Sequence, residues 1–261
     1  DTAPGGRFYM ADQLSARDQN EIIRSASEAS KIVIKPVEVK RYLDPPADTP
    51  FPLEYGFYLL GDIRGKTVLD LGCGSGEELI PLVHRGANVI GIDISPDLVA
   101  IAERRLRDAG LSASVRVGSA YETGLPSASV DSIFCLSLIH HLDIPKVREE
   151  MRRILRPGGY LILKEPIRFS KTYGLLRSLL PNQEDISDYE HPLTEAELGI
   201  VQEDFESDGL RFFRLPFVPL VQRSMPSLHR KAYLLSNWTI AKFPRTARYA
   251  TIAALRLRKK P

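Results

Sequence analysis

An apolar run that ends in a glycine-rich turn constrains this chain more than any other feature: Val68-Leu69-Asp70-Leu71, then Gly72-Cys73-Gly74-Ser75-Gly76. Glycines at alternate positions let the main chain turn sharply and let a ligand approach without a Cβ in the way. The helix expected to follow presents unpaired N–H groups and a positive dipole end, suited to a carboxylate or phosphate. One helix and one strand later, Gly91-Ile92-Asp93 sets a carboxylate at a strand end, where it can accept hydrogen bonds from both hydroxyls of a ribose. Read alone, the glycines make a tight turn and Asp93 caps the helix near Ser95-Pro96. The two elements together favour a nucleotide site.

From Thr67 onward, short apolar runs alternate with longer amphipathic segments, the pattern of βαβ units on a mainly parallel sheet. Strands are expected near 67–71, 88–92, 114–117, 131–136 and 159–165, with helices near 76–85, 96–109 and 145–155. Thr194-Glu195-Ala196-Glu197 has capping-box form, and Leu198, Val201 and Phe205 recur at helical spacing before Asp208-Gly209 closes the unit. Arg211–Leu215 and Ala250–Arg258 read as two final strands. The expected fold is therefore α/β: a doubly wound, mainly parallel seven-stranded Rossmann-like sheet with helices on both faces.

Residues 1–65 read as an N-terminal extension or lid, partly helical over 13–30, because Pro36 and the proline-rich stretch 44–52 cannot continue a helix or central strand. Its aromatics, Phe8, Tyr9, Tyr42, Tyr55, Phe57 and Tyr58, are expected to pack. Residues 66–261 form the main domain, with insertions at 167–193 and 217–248 that serve as a substrate cover.

Spacing narrows the nucleotide. A dinucleotide turn wants GxGxxG, but here Glu77 holds the third-glycine position and the third glycine is Gly76. Asp70, two residues before the first glycine, is also foreign to that pattern. The Asp-x-Gly-x-Gly-x-Gly turn resembles motif I of class I S-adenosylmethionine-dependent methyltransferases. Over most of 66–165 the likeness continues: Val130–Leu142 resembles the family's fourth-strand motif, and Leu155-Arg156-Pro157-Gly158-Gly159 its turn into strand five. It is strongest toward the small-molecule branch that includes quinone-biosynthesis enzymes.

The resemblance implies S-adenosylmethionine as cofactor. It assigns the methionine portion to Asp70 and the Gly72-Cys73-Gly74 turn, the ribose to Asp93, adenine packing to Ile94, and the neighbourhood of the sulfonium to Leu136. Ser119-Ala120 falls where the family carries an Asp-Ala pair beside adenine, so here a hydroxyl replaces the acid and Ala120 retains a backbone contact.

Methyl transfer from a sulfonium mainly requires an aligned nucleophile and exclusion of water, and orientation alone is worth roughly 7–11 kcal/mol. A base is needed when the attacking group is a hydroxyl, a protonated amine or an unactivated carbon. His140 and His141 stand at the carboxyl end of strand four, with imidazoles that titrate near neutrality. Adjacent residues on a turn are expected to point apart, leaving one of them structural. Glu165, at the end of strand five, is expected either to accept a proton or orient a hydroxyl in the same crevice, or to cap or pair with Lys164 or Arg168. Tyr189 and His191, in the insertion before the capping box, are candidate substrate contacts.

Cys73 and Cys135 lie inside apolar runs without a CxxC or Cys/His partner, so neither a disulfide nor a metal site is expected. No signal-like start and no eighteen-residue apolar run occurs, which favours a cytoplasmic protein. Charge is unevenly spread. Gly209–Pro261 holds twelve Lys or Arg and no Asp or Glu, which points to an anionic partner: a peripheral membrane contact, a hydrophobic or anionic small-molecule substrate, or RNA. No RNA-binding module is recognisable, so the small-molecule enzyme is the leading reading. An RNA methyltransferase and a non-catalytic nucleotide-binding protein are its rivals.

Overall fold

The computed structural model describes residues 16–170 and 191–260. Seven strands form one sheet: β1 (Thr67–Leu71), β2 (Asn88–Asp93), β3 (Ser114–Val117), β4 (Val130–Leu136), β5 (Leu155–Pro166), β6 (Phe205–Phe213) and β7 (Ile252–Lys259). Their spatial order is β3-β2-β1-β4-β5-β7-β6. β1 to β5 pair in parallel, and β7 runs antiparallel between β5 and β6. Strand order reverses between β1 and β4, which opens a crevice at their carboxyl ends.

The central strands are covered on both faces, which explains their unbroken apolar runs. Val68, Leu69, Ile133, Phe134 and Cys135 are all fully buried. The helices are α1 (Ala16–Ala29), α2 (Lys40–Leu43), α3 (Pro52–Leu59), α4 (Leu79–His84), α5 (Pro96–Asp108), α6 (Ile144–Ile154), α7 (Glu195–Gln202), α8 (Phe217–Ser224) and α9 (His229–Lys242). Local chemistry sets their starts. Ser95 Oγ accepts from Leu98 N at the head of α5, Asp143 caps α6, and Thr194 with Glu197 closes a reciprocal capping box on α7. Each such cap is worth about 1 kcal/mol.

Three local expectations are corrected. Phe205 opens β6 instead of ending a helix: α7 stops at Gln202, and Asp208-Gly209 lies within the strand, where the register with β7 shifts between Ser207 and Leu210 and Gly209 takes φ +121°. The helix expected from residue 76 begins only at Leu79, because Gly76 remains in the turn at φ +78°. A Cβ at Gly76 would stand 2.7 Å from Ala102 Cβ, so this glycine exists for close approach to α5. The 217–248 insertion is built from α8, α9 and two 3₁₀ segments, Pro226–Leu228 and Pro244–Tyr249.

The proline-framed N-terminal region splits into two uses. α3 packs on β5 and β7; its Phe57 meets Phe134 with ring centroids 4.9 Å apart, and Tyr55 packs on Phe213. α1 instead lies against α5 over the crevice.

Candidate active site

A cleft of about 370 Å³ opens at the carboxyl ends of β1, β2 and β4. Of the residues expected to hold the cofactor, Gly72, Asp93, Ile94, Ser119, Ala120 and Leu136 line it, and His140 and His141 line it too. The roof is α1, whose Arg17, Glu21, Arg24, Ser25 and Glu28 turn one polar face inward. Their i, i+4, i+7 spacing was visible in the sequence as a helical stripe; nothing there said which surface the stripe would cover.

Asp93 reaches back to the glycine turn. One carboxylate oxygen accepts from Gly74 N at 2.8 Å and the other from Ser95 N at 2.9 Å, which leaves lone pairs for hydroxyl donors in the cleft. Part of its role is thus the capping one, with Ser95 supplying the actual helix cap. Arg105, almost wholly buried, braces the turn from behind through Nε to Ser75 O at 2.9 Å.

Asp70 is buried behind the cleft, and its Oδ2 has no hydrogen-bond partner. Burial, with Glu78 and Asp93 nearby, pushes its carboxyl well above the usual range. A buried, unpartnered carboxylate is costly unless a cation meets it. Gly74, at φ +49°, leaves the space of its absent Cβ empty. These features fit the amino-acid end of S-adenosylmethionine: Asp70 for its ammonium, the Gly72–Gly74 backbone for its chain, and Asp93 for its ribose. Cys73 departs from expectation, since its side chain packs under Gly91 with Sγ 3.1 Å from where a Cβ would stand. Burial pushes that thiol far up, so only its main chain borders the turn.

Beyond β4 the chain turns sharply. Ser137 holds φ +52°, uncommon outside glycine and typical of functional sites. Glu165, wholly buried on β5, anchors the turn: its Oε1 accepts from Leu138 N and Ile139 N, at 2.9 and 3.0 Å, and its Oε2 lies 2.8 Å from His140 Nδ1. An ionised carboxylate can only accept, so Nδ1 carries the proton and the lone pair of neutral His140 is on Nε2. Glu165 therefore positions His140 and does not pair with Lys164 or Arg168. The two histidines do not point apart: the 3₁₀ turn Ile139–His141 brings their rings to 4.0 Å, and His141 Nδ1 lies 3.6 Å from Glu21 on α1.

His191 is not among the residues lining the cleft; it stands 3.4 Å from Glu197 of the α7 cap, where its neighbour Pro192 directs helix entry. Tyr189 lies outside the described residues. Among the described residues, no cluster of metal-ligating side chains occurs, and no helix is long and apolar enough to cross a membrane. The sequence does not single out Lys164 and Arg214 as a pair; they come together from either side of the head of β7.

Residues 69–163 match the family model described as a methyltransferase domain. A ubiquinone biosynthesis O-methyltransferase of Dechloromonas aromatica is 34% identical over 114 residues, 42% of this chain and 49% of that protein. An uncharacterised 37.1 kDa protein of a Streptomyces fradiae transposon is 34% identical over 170 residues, 62% of this chain and 47% of its own length. The chain thus spans about half the length of the curated relatives it matches. Among solved structures, geranyl diphosphate C-methyltransferase from Streptomyces coelicolor superposes with a TM-score of 0.64 at 14% identity, covering 94% of this chain and 98% of that one. The [4+2]-cyclase SpnF gives 0.54 at 22% identity over 76% of each chain. These two likenesses establish the fold. With the Asp70-to-Gly76 turn, Asp93 and the strand order of the sheet, the matched stretch 69–163 belongs to the class I S-adenosylmethionine-dependent methyltransferase-domain family.

Proposed function

We propose that this protein transfers a methyl group from S-adenosylmethionine to a small-molecule acceptor seated between the glycine turn and the α1 roof. The observation that carries the reading is the buried, unpartnered Oδ2 of Asp70 behind a turn whose Gly74 leaves open space. When bound, the cofactor supplies an activated methyl on a sulfonium. The protein's own tasks are to bind, align and exclude water: Asp93 and Asp70 fix the two ends of the cofactor, and α1 closes the cleft from solvent.

His140 is our candidate base. Its Nδ1 is committed to Glu165, so Nε2 is the nitrogen able to take a proton from an acceptor hydroxyl. This assignment supports an acceptor with an ionisable O–H or N–H, in keeping with the O-methyltransferase name of the Dechloromonas aromatica relative.

Calorimetric titration of S-adenosylmethionine and S-adenosylhomocysteine into the full chain tests the proposal. Saturable binding is expected, and Asp93→Ala should weaken it about 10- to 100-fold by removing charge-assisted hydrogen bonds worth roughly 1.5–3 kcal/mol. Absence of binding to the unaltered chain would sink it.

A second surface also calls for a reading. α8, α9 and the residues that cap their ends expose Leu220, Met225, Leu234, Leu235, Trp238 and Phe243 within the acid-free segment, beside exposed Arg230, Lys231 and Lys242. We propose that this face rests on anionic lipid and lets the enzyme draw its acceptor from the interface.

A further inference from the structure

Two cations at the sheet edge have no part in the cofactor site. Lys164 precedes Glu165 on β5, so its side chain leaves the opposite face of the sheet. Its Nζ donates to Ser137 Oγ at 3.0 Å, and Ser137 lines the cleft at the strained φ of +52°. Burial holds the ammonium below the ordinary lysine range; Glu165 and Glu78 oppose that effect, and the Arg214 guanidinium adds to it. The register agrees: Lys164 pairs with Ala254, and Phe213, the residue before Arg214, pairs with Ile252, so the two cations flank the head of β7 from either side.

Arg214, just past β6, also has a left-handed backbone, φ +64°. That conformation is held from both sides. Thr251 donates to Arg214 O through Oγ1 at 2.9 Å and through N at 3.1 Å, while Leu215 N donates to Ser236 Oγ, wholly buried on α9. Arg214 Nε is buried without a hydrogen-bond partner, and among the described residues the guanidinium makes no ion pair. A strained, doubly braced backbone that delivers an unpaired guanidinium beside a second cation is unfavourable on its own. Glu165 and Glu78 offset the field at Lys164 only in part. Glu165 is committed to Leu138 N, Ile139 N and His140, and burial keeps the Glu78 carboxyl above its usual range. The acid-free stretch from Gly209 onward supplies no other.

We propose that Lys164 and Arg214 form an anion subsite behind Ser137, which lines the cleft, and that it holds a phosphate or diphosphate group carried by the methyl acceptor. The proposal rests on reading the cleft as a methyltransferase site and adds the substrate class. A fork of guanidinium donors and a point-charge ammonium together neutralise a dianion, and the Arg214 N–H gains the acceptor it lacks. Ser137, already bonded to Lys164, ties the anion's position to the turn that carries His140.

The test is calorimetric titration of inorganic pyrophosphate into the full chain saturated with S-adenosylhomocysteine, at 0.15 M salt. Binding is expected in the unaltered chain, at least about tenfold weaker in Lys164→Met and in Arg214→Gly, as loss of one charged hydrogen bond implies. A double Arg230→Ser, Lys231→Ser variant on α9 should leave it unchanged. Arg214→Gly separates function from structure: glycine adopts φ +64° freely, so its melting temperature should hold or rise while pyrophosphate binding falls. Lys164→Met gives an independent reading should the glycine variant not fold. Equal pyrophosphate affinity in all variants, no binding in the unaltered chain, or loss only in the α9 variant would overturn the subsite, the last by assigning the anion to the lipid-facing surface. Failure to bind S-adenosylhomocysteine would overturn the methyltransferase reading instead.

Discussion

Asp70 and Glu165 are both buried carboxylates at strand ends, and their surroundings give them opposite tasks. Glu165 accepts three hydrogen bonds and spends its charge on the turn after β4. Replacing it by Gln keeps an acceptor oxygen for Leu138 N and Ile139 N but turns an amide donor toward His140 Nδ1, which moves the imidazole proton to Nε2. Glu165→Gln is expected to melt within a few degrees of the unaltered chain while turnover of a hydroxyl acceptor falls about 10²–10⁴-fold; a turnover left intact would remove His140 as base. Asp70 has no such partners, and its carboxyl titrates well above the usual range because of burial first and its acidic neighbours second. The folded chain thus holds that proton more tightly than the unfolded one. The stability it contributes is complete below about pH 4 and is lost as pH rises through the elevated folded-state value. Asp70→Asn should therefore raise the melting temperature of the ligand-free chain at pH 7 by about 3 °C or more, with the gain shrinking toward pH 4. The same variant should bind S-adenosylmethionine less tightly by calorimetry, since the ammonium loses its counter-charge. A melting temperature unchanged at pH 7 would show that Asp70 is not strained in the empty site.

At the scale of elements, the central strands that carry the site were legible because two-sided burial leaves apolar runs, and β1 and β4 fall where those runs do. The glycine turn and Asp93 were legible for the same kind of reason: backbone geometry demands those residue types. Phe205 was misread because an apolar residue four positions after Val201 satisfies a helical period whether or not the helix continues. The roof was opaque. Arg17, Glu21 and Glu28 look like a solvated stripe, and only the tertiary packing of α1 on α5 turns it toward the cleft. Lys164 and Arg214 were invisible because long-range pairing brings β5 and β6 to one edge with β7 between them. The roof makes its own prediction. Removing residues 1–31 should leave the sheet folded, because the core packs through α3 and not α1, and should speed release of S-adenosylhomocysteine in stopped-flow measurements by about tenfold or more. A release rate unchanged by the truncation would show that α1 does not close the cleft.

The chain is two-sided in charge along its length: all 33 acidic residues precede Gly209, and the twelve basic residues after it have no acidic residue within their own segment, although Arg256 pairs back with Asp208. A second copy of the chain would set Arg230, Lys231 and Lys242 of α9 against their own counterparts, whereas an anionic bilayer satisfies both these charges and the exposed apolar groups. Trp238, the single tryptophan, is 57% exposed on that face and reports on it directly. The geometry also links this surface to chemistry, because Ser236 on α9 bonds the residue next to Arg214. An acceptor with an apolar tail in the bilayer and an anionic head would meet the two cations on its way to the methyl group. Vesicles containing phosphatidylglycerol are expected to blue-shift Trp238 emission and to co-sediment the chain, neutral phosphatidylcholine vesicles much less so, and 0.5 M salt should weaken the association. A double Leu234→Ser, Leu235→Ser change removes two half-exposed apolar groups worth about 1.5 kcal/mol each and should lower vesicle affinity about 100-fold without changing S-adenosylmethionine binding. Sedimentation equilibrium showing a dimer whose Trp238 is already shielded from quencher would assign the face to a second copy and overturn the membrane reading.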